Sequence, residues 1–295
     1  ESKLFNFLSK ETAILVNNWF MLFFLITVLI GTIYPIFLEV INNTKISVGP
    51  PFYNFIIFPF IVPFVIFMTL GPNLNWVNTD KSKIKDFFFS SFLIACLFMV
   101  IIFYLINNLN FISSLIIFVA LILIFSIFRD FIFFVKNKEY VKSNFKLGRI
   151  ISHFGFGFLI LSIGLNANLS IEKDINLKVG DSYKFLNYEL IFDDITEKRE
   201  KNYKAIIGSF LIKNENKKNT FLKPEIRIYD KPNIVTSEAS ISSSFFSDYY
   251  LTMSYISDGQ YFNIRFQHKP FMLWIWTSFI LISLGGFFSI FVKKK

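Results

Sequence analysis

Six apolar runs divide this chain, at about 18–38, 53–71, 87–106, 111–135, 148–167 and 271–292. Each reaches the length of roughly 18 residues or more that a helix needs to cross the hydrocarbon of a bilayer. Between the fifth and sixth runs the pattern changes. INLKV, YELIFDDI, AIIGSFLI, EIRIY and YYLTMSYI alternate or run apolar for strand-like lengths, broken by Gly, Pro, Asn and Asp. Asp258-Gly259, between YYLTMSYIS and QYFNIRFQH, is a hairpin signal. The pattern predicts an α-helical integral membrane protein with six transmembrane helices. An extracytoplasmic β-rich domain, a sandwich or a barrel, falls between helices five and six. The predicted divisions are 1–167, a five-helix transmembrane region; 168–270, the periplasmic β-rich domain; and 271–295, the final helix with a basic cytoplasmic tail.

Composition agrees with a membrane setting: 54% of the residues are hydrophobic and Phe alone occurs 42 times. Charge then supplies an orientation. Residues 168–267 carry 14 Lys/Arg against 14 Asp/Glu, so the net +9 lies elsewhere. Of the 16 remaining basic residues, 14 cluster at alternate ends of the spans, including Lys81, Lys83 and Lys85, Lys136 to Arg149, and Lys293 to Lys295. Only Lys45 and Lys269 fall on the other side. The positive-inside rule therefore predicts both termini in the cytoplasm and the loops 39–52 and 168–270 outside. Orientation accounts for the basic residues, and nothing argues for nucleic acid.

Several features narrow the chemistry. Cys96 is the only cysteine, so thiol–disulfide exchange within the chain is excluded and the residue reads as a small core side chain. There is no GxSxG, HExxH, Walker loop or GxGxxG after a strand. Asp193-Asp194 sits near Lys198, Arg199 and Lys201 and reads as solvated surface. Pro59 and Pro63 are expected to kink the second span. Gly49-Pro50-Pro51 is expected to be non-helical and to shape the outer loop. The chain begins at Glu1 rather than Met, as a fragment, a cleaved product or a split subunit would.

The polar residue that stands out is His153, one of two histidines, inside GRIISHFGFGFLILSIGLNANL. An imidazole is costly within a bilayer and marks a functional candidate with a partner to be named. Imidazole is also the common protein ligand of haem iron and other metals. On helical periodicity Arg149, His153, Gly157 and Gly164 share one face. The glycines leave room for a flat macrocycle or for another helix. Two readings stay open: a metal ligand, or an interfacial histidine hydrogen-bonded to a neighbouring helix.

An ordered series of motifs runs along the whole chain. It begins with Glu11-Thr12, Asn17-Asn18, Gly31-Thr32, Tyr34-Pro35 and Ser47 to Asn54 (SVGPPFYN). It continues through Gly71-Pro72 with Trp76, Arg149 with His153, Gly180-Asp181, Tyr203, and Arg227 with Tyr229. Thr236 to Ala239, Asp248 to Tyr250, Lys269-Pro270, Trp274-Ile275-Trp276 and Gly285-Gly286 complete it. In this order and spacing the chain resembles the carboxy-terminal half of the CcmF family, the haem lyase component of the cytochrome c maturation system.

The resemblance implies a component of a haem lyase of the holocytochrome c synthase type. Such a component supports thioether formation between haem vinyl groups and the cysteines of an apocytochrome c CxxCH motif. It also implies a resident haem b held between two transmembrane histidines, which passes electrons from quinol to the incoming haem iron. His153 matches the second of these histidines and is the expected axial ligand of that iron. Arg149, one turn toward the cytoplasm, is a candidate for contact with a haem propionate, although snorkelling and orientation explain it equally.

The implied partners are the amino-terminal half of the same protein, a haem carrier protein, apocytochrome c with its thiol-handling chaperone, quinol and membrane lipid. The family's tryptophan-rich segment, its outer histidines and its first transmembrane histidine belong to that other half, so this chain alone is incomplete. The implied location is the bacterial inner membrane, or the mitochondrial inner membrane if organelle-encoded. His268 is expected at the outer interface as an ordinary amphipathic side chain, and Trp274 and Trp276 as belt residues. The competing reading is a non-catalytic membrane scaffold whose β domain recruits maturation partners.

Overall fold

The computed structural model describes residues 7–43, 45–106, 109–137, 144–214, 217–256 and 260–290. It contains helices α1 (Lys10–Asn42), α2 (Pro50–Leu70, continued by a 3-10 turn at Gly71–Asn73), α3 (Lys81–Leu105), α4 (Phe111–Lys136), α5 (Asn144–Leu169) and α6 (Met272–Ile290). All six are long and apolar enough to cross a membrane. Between α5 and α6 in chain order come ten strands. They are β1 (Ile171–Leu177), β2 (Ser182–Phe185), β3 (Tyr188–Arg199), β4 (Tyr203–Asn214), β5 (Lys217–Leu222), β6 (Glu225–Tyr229), β7 (Val235–Glu238), β8 (Ser240–Ser243), β9 (Ser247–Tyr255) and β10 (Phe262–Pro270). Contacts divide the chain into two compact units, Leu165–Trp276 and the remainder. The basic tail Lys293–Lys295 and the Asp258-Gly259 turn lie outside the described residues.

In the helical unit, local chemistry sets the helix starts. Ser9 caps α1, its Oγ accepting the Thr12 amide at 3.3 Å, and Asp80 caps α3 through the Ser82 amide at 3.1 Å. The Gly49-Pro50-Pro51 segment departs from expectation: Gly49 is the cap of α2, and both prolines form its first turn. Proline suits that turn because the N–H it lacks has no intrahelical acceptor there, and its φ is already helical. Pro59 and Pro63 lie inside the continuous α2.

Helix α4 is the central element. Of its most apolar stretch 56% is buried, against 11% for α1 and α6, which therefore present broad apolar faces to their surroundings. Phe64 of α2 joins three helices. Its ring meets Phe20 and Phe24 of α1 at 5.6 and 5.5 Å and Phe156 of α5 at 5.7 Å. Edge-on aromatic contacts of this kind give a packed interior its specificity beyond simple burial. At one end of this unit the segment after α2 folds back onto the start of α1. Both Glu11 carboxylate oxygens accept the Val77 amide at 3.1 Å, and the Lys10 amide donates to the Asn75 carbonyl at 2.9 Å.

The β unit is a two-sheet sandwich. One sheet has the order β1-β10-β9-β8; the other has β2-β3-β4-β6-β7, with β5 also pairing with β4. Strands β9 and β10 pair antiparallel from Tyr255↔Phe262 to Ser247↔Pro270. Alternate residues point inward, as a strand's two-residue period requires. Leu190, Phe192, Phe210, Ile212, Leu251, Met253, Ile264 and Phe266 thus form a continuous core. Phe192 and Phe210 stack across β3 and β4 with centroids 4.2 Å apart. Gly208 makes room there, since a Cβ would stand 2.7 Å from the Phe210 ring and 2.9 Å from Met253 Sδ. Asp193 and Asp194 are exposed, beside a bulge in β3.

Candidate functional site: an intramembrane cleft at His153

Helix α5 is fixed in rotation by close backbone approaches on two sides. Toward α6, a Cβ on Gly148 would collide with Ser289 Oγ and with the Gly285 carbonyl, 2.5 Å away for the latter. Ser152 Oγ donates to the Ile282 carbonyl at 3.2 Å. A Cβ on Gly155 would stand 2.9 Å from Leu281 Cβ. Toward α4, Gly157 abuts Ile124 and Gly164 abuts Ile117, each at 2.9 Å from the position of a Cβ. Small residues allow helices to approach this closely, as in membrane bundles generally. Of the two occupants expected beside Gly157 and Gly164, a macrocycle or a helix, the structure places helix α4 there.

Held in this way, His153 lines a cleft between α2, α4 and α5. Met68 and Thr69 come from α2 and Pro72 from the turn after it. Ser126 and Asp130 come from α4, and Arg149 joins His153 from α5. The free space is close to that of a single water molecule. His153 keeps part of its surface exposed, while its Nδ1 is buried without a hydrogen bond. The Arg149 backbone, one turn earlier, interacts with the ring without meeting hydrogen-bond geometry at Nδ1. Among the described residues no cluster of three or more His, Cys, Asp or Glu could hold a metal ion by itself. A metal at His153 would therefore draw its other ligands from elsewhere.

Arg149 has a partner that the sequence reading missed. Its Nη2 lies 3.6 Å from Asp130 Oδ2, with both side chains largely withdrawn from the surface at 25% and 18% exposure. Asp130 had a visible signal: it is the only acid in the fourth apolar run, and an acid within a span needs a partner. Its neighbour Arg129 turns to α3 instead, donating to Ser90 Oγ at 2.5 Å and stacking over Phe87 at 3.9 Å.

His268 lies in β10 opposite Tyr249, its ring 5.2 Å from that of Tyr249 and 5.8 Å from Tyr188. Both ring nitrogens are buried, and the side chain as a whole is half-buried against these two tyrosines. Two motif pairs from the sequence do meet in space: Gly31 lies against the Tyr53 ring, and Glu11 holds the segment carrying Trp76.

Residues 168–270 match the family described as the CcmF C-terminal beta-sandwich. The chain is 24% identical over 284 residues to the cytochrome c-type biogenesis protein CcmF of Escherichia coli, covering 96% of this chain and 44% of that protein. It is 26% identical over 288 residues to CcmF of Pseudomonas fluorescens, again covering 96% and 44%. A solved structure of the cytochrome c heme lyase CcmF superposes with a TM-score of 0.73 at 18% identity, over 97% of this chain and 46% of that one. The chain thus spans less than half the length of the curated relatives it matches. Along nearly its whole length, in sequence and in fold, this chain is similar to the carboxy-terminal half of CcmF.

Proposed function

We propose that this chain forms the carboxy-terminal part of a cytochrome c maturation haem lyase and carries one axial ligand, His153, of a resident haem b. The observation that carries the reading is the placement of His153. It is a lone imidazole on a helix locked from two sides, facing an intramembrane cleft, in a chain similar to CcmF. Neutral imidazole is a usual axial donor to haem iron, and iron in a porphyrin needs only such outside ligands. The donor fits: His153 is an imidazole with a buried Nδ1 that makes no hydrogen bond, and it is the residue that would hold the iron. The cleft it lines has room for about one water molecule and would not itself enclose the macrocycle.

When bound, the haem supplies an iron that takes up and releases one electron. The chain's residues do the rest. Helices α4 and α6 hold α5 so that the imidazole cannot swing away. Asp130 pairs with Arg149 within the bundle, so the guanidinium beside the ligand does not stand there as an uncompensated charge. Contact of Arg149 with a propionate would share that guanidinium with Asp130. In this reading quinol would be the electron donor, and the iron of the substrate haem bound for the apocytochrome cysteines would be the recipient.

In this reading the sandwich stands on the outer face of the inner membrane and both termini in the cytoplasm, because the short basic segments share one side. The domains then divide as 1–167, 168–270 and 271–295. The sandwich serves docking and geometry, toward the amino-terminal half of the protein, the haem carrier, and apocytochrome c with its chaperone. Removing this chain from a maturing cell, with the amino-terminal half retained, should abolish haem-stained c-type cytochromes. Normal amounts of covalently haemylated cytochrome would contradict the proposal.

A further inference from the structure

The turn between β8 and β9 displays two adjacent phenylalanines, Phe245 and Phe246, 62% and 59% exposed. Turn tips ordinarily carry Gly, Asn, Asp or Ser, so a paired apolar tip calls for a partner. Its backbone is well fixed. The Ser244 amide donates to the Ser247 carbonyl at 3.1 Å, and the Ser247 amide to Ser244 Oγ at 3.2 Å. Two more bonds tie the tip to the start of α6: the Phe271 amide donates to the Phe246 carbonyl at 2.8 Å, and Trp274 Nε1 to the Phe245 carbonyl at 3.1 Å. The Trp274 ring packs on Phe245 and Phe246 at 6.0 and 5.9 Å. Asn166, near the end of α5, donates through Nδ2 to the Pro270 carbonyl at 2.5 Å. The tip therefore stands level with the end of one apolar helix and the first turn of the next.

We propose that Phe245 and Phe246 insert into the headgroup–acyl boundary of the lipid bilayer and anchor the sandwich to the membrane surface beside α6. The inference rests on reading α5 and α6 as membrane spans. Three observations favour lipid as the occupant. The tip is hydrogen-bonded to the first turn of an apolar helix, so its depth is set by where that helix enters the membrane. The run Ser240 to Ser247 contains no charged residue, as a segment leaving water requires. The neighbouring side chains are those of a membrane interface. Trp274 satisfies its N–H internally, Trp276 is 62% exposed, and Lys269 lies 5.7 Å over the Tyr250 ring with a stem long enough to reach phosphates.

The test uses nitroxide labels in a Cys96→Ser background, in the whole assembly reconstituted into phospholipid nanodiscs. Labels are placed one at a time at Phe245→Cys, Phe246→Cys, Lys201→Cys and Phe279→Cys, and folding is checked by circular dichroism. Collision with oxygen, which concentrates in lipid, is compared with collision with a neutral nickel chelate, which stays in water. Positions 245 and 246 should favour oxygen, and Lys201, in the exposed β3–β4 turn, should favour nickel. Nickel access at 245 and 246 matching that at Lys201, with Phe279 protected, would overturn the anchor alone. Shielding of both positions from both reagents would also overturn it, since another protein surface would then cover the tip. Free nickel access at Phe279 would remove the membrane reading and the anchor with it.

Discussion

His153 owes its direction to residues that do no chemistry. Gly148, Ser152 and Gly155 seat α5 against α6, and Gly157 and Gly164 seat it against α4. Gly148→Val would drive a side chain into the Gly285 carbonyl, and backbone cannot rotate out of the way. It should cost about 1–3 kcal/mol, read as a fall in melting temperature of the assembled protein. The Asp130–Arg149 pair is a second residue-scale test. Asp130→Asn leaves a guanidinium in the bundle without its counter-ion and should destabilise by up to about 3–5 kcal/mol. Asp130→Asn combined with Arg149→Gln should recover most of that loss, and no recovery would mean the pair is not the reason for the effect. His268→Tyr should leave any haem signal unchanged, because His268 packs against the Tyr188 and Tyr249 rings of the sandwich; loss of signal at constant protein level would point to the wrong histidine. His153 and Arg149 were legible in the sequence because polar groups are rare within an apolar run. Their setting was not: Asp130 and Arg149 lie on different helices, and no periodicity within one helix brings them together.

At the scale of elements, the sandwich gives a pH prediction. Burial pushes the Tyr188 phenol above its ordinary value of about 10, and the neighbouring Tyr249 adds to the shift. A group whose folded pKa is raised contributes its stability fully below the unfolded value and loses it as pH rises beyond that value. The full chain should therefore lose melting temperature above about pH 10, and Tyr188→Phe should flatten the dependence. An equal alkaline slope in the variant would show that other groups set it.

The strands with strong apolar patterns were visible in the sequence: β1, β3, β4, β6, β9 and β10 each hold all or most of one of the recognised segments. Strands β2, β5, β7 and β8 were not, since SYKF, KKNTFL, VTSE and SISS are too short or too polar to show an apolar alternation. They are specified by the strands they pair with. The start of α2 was misread because a Gly-Pro-Pro run is a turn signal that also suits a helix's first turn.

Taken as a whole, the chain has an orientation that charge alone predicts and that labelling can check. In a Cys96→Ser background, Lys201→Cys in the β3–β4 turn should react with a membrane-impermeant thiol reagent added to intact spheroplasts. Reaction only after lysis would reverse the topology and with it the placement of the sandwich. The central claim, that this chain supplies an axial ligand to a resident haem, is tested most directly by one spectrum. The assembly, with its amino-terminal half, is purified from cells carrying either His153 or His153→Gly, and reduced-minus-oxidised spectra and haem content are compared at equal protein. The substitution should leave the helix inserted, since one small residue in a long apolar span costs on the order of 1 kcal/mol. The b-type signal should be lost or strongly reduced in His153→Gly. An unchanged spectrum, haem content and reduction potential would contradict the account and leave His153 as a residue of helix packing.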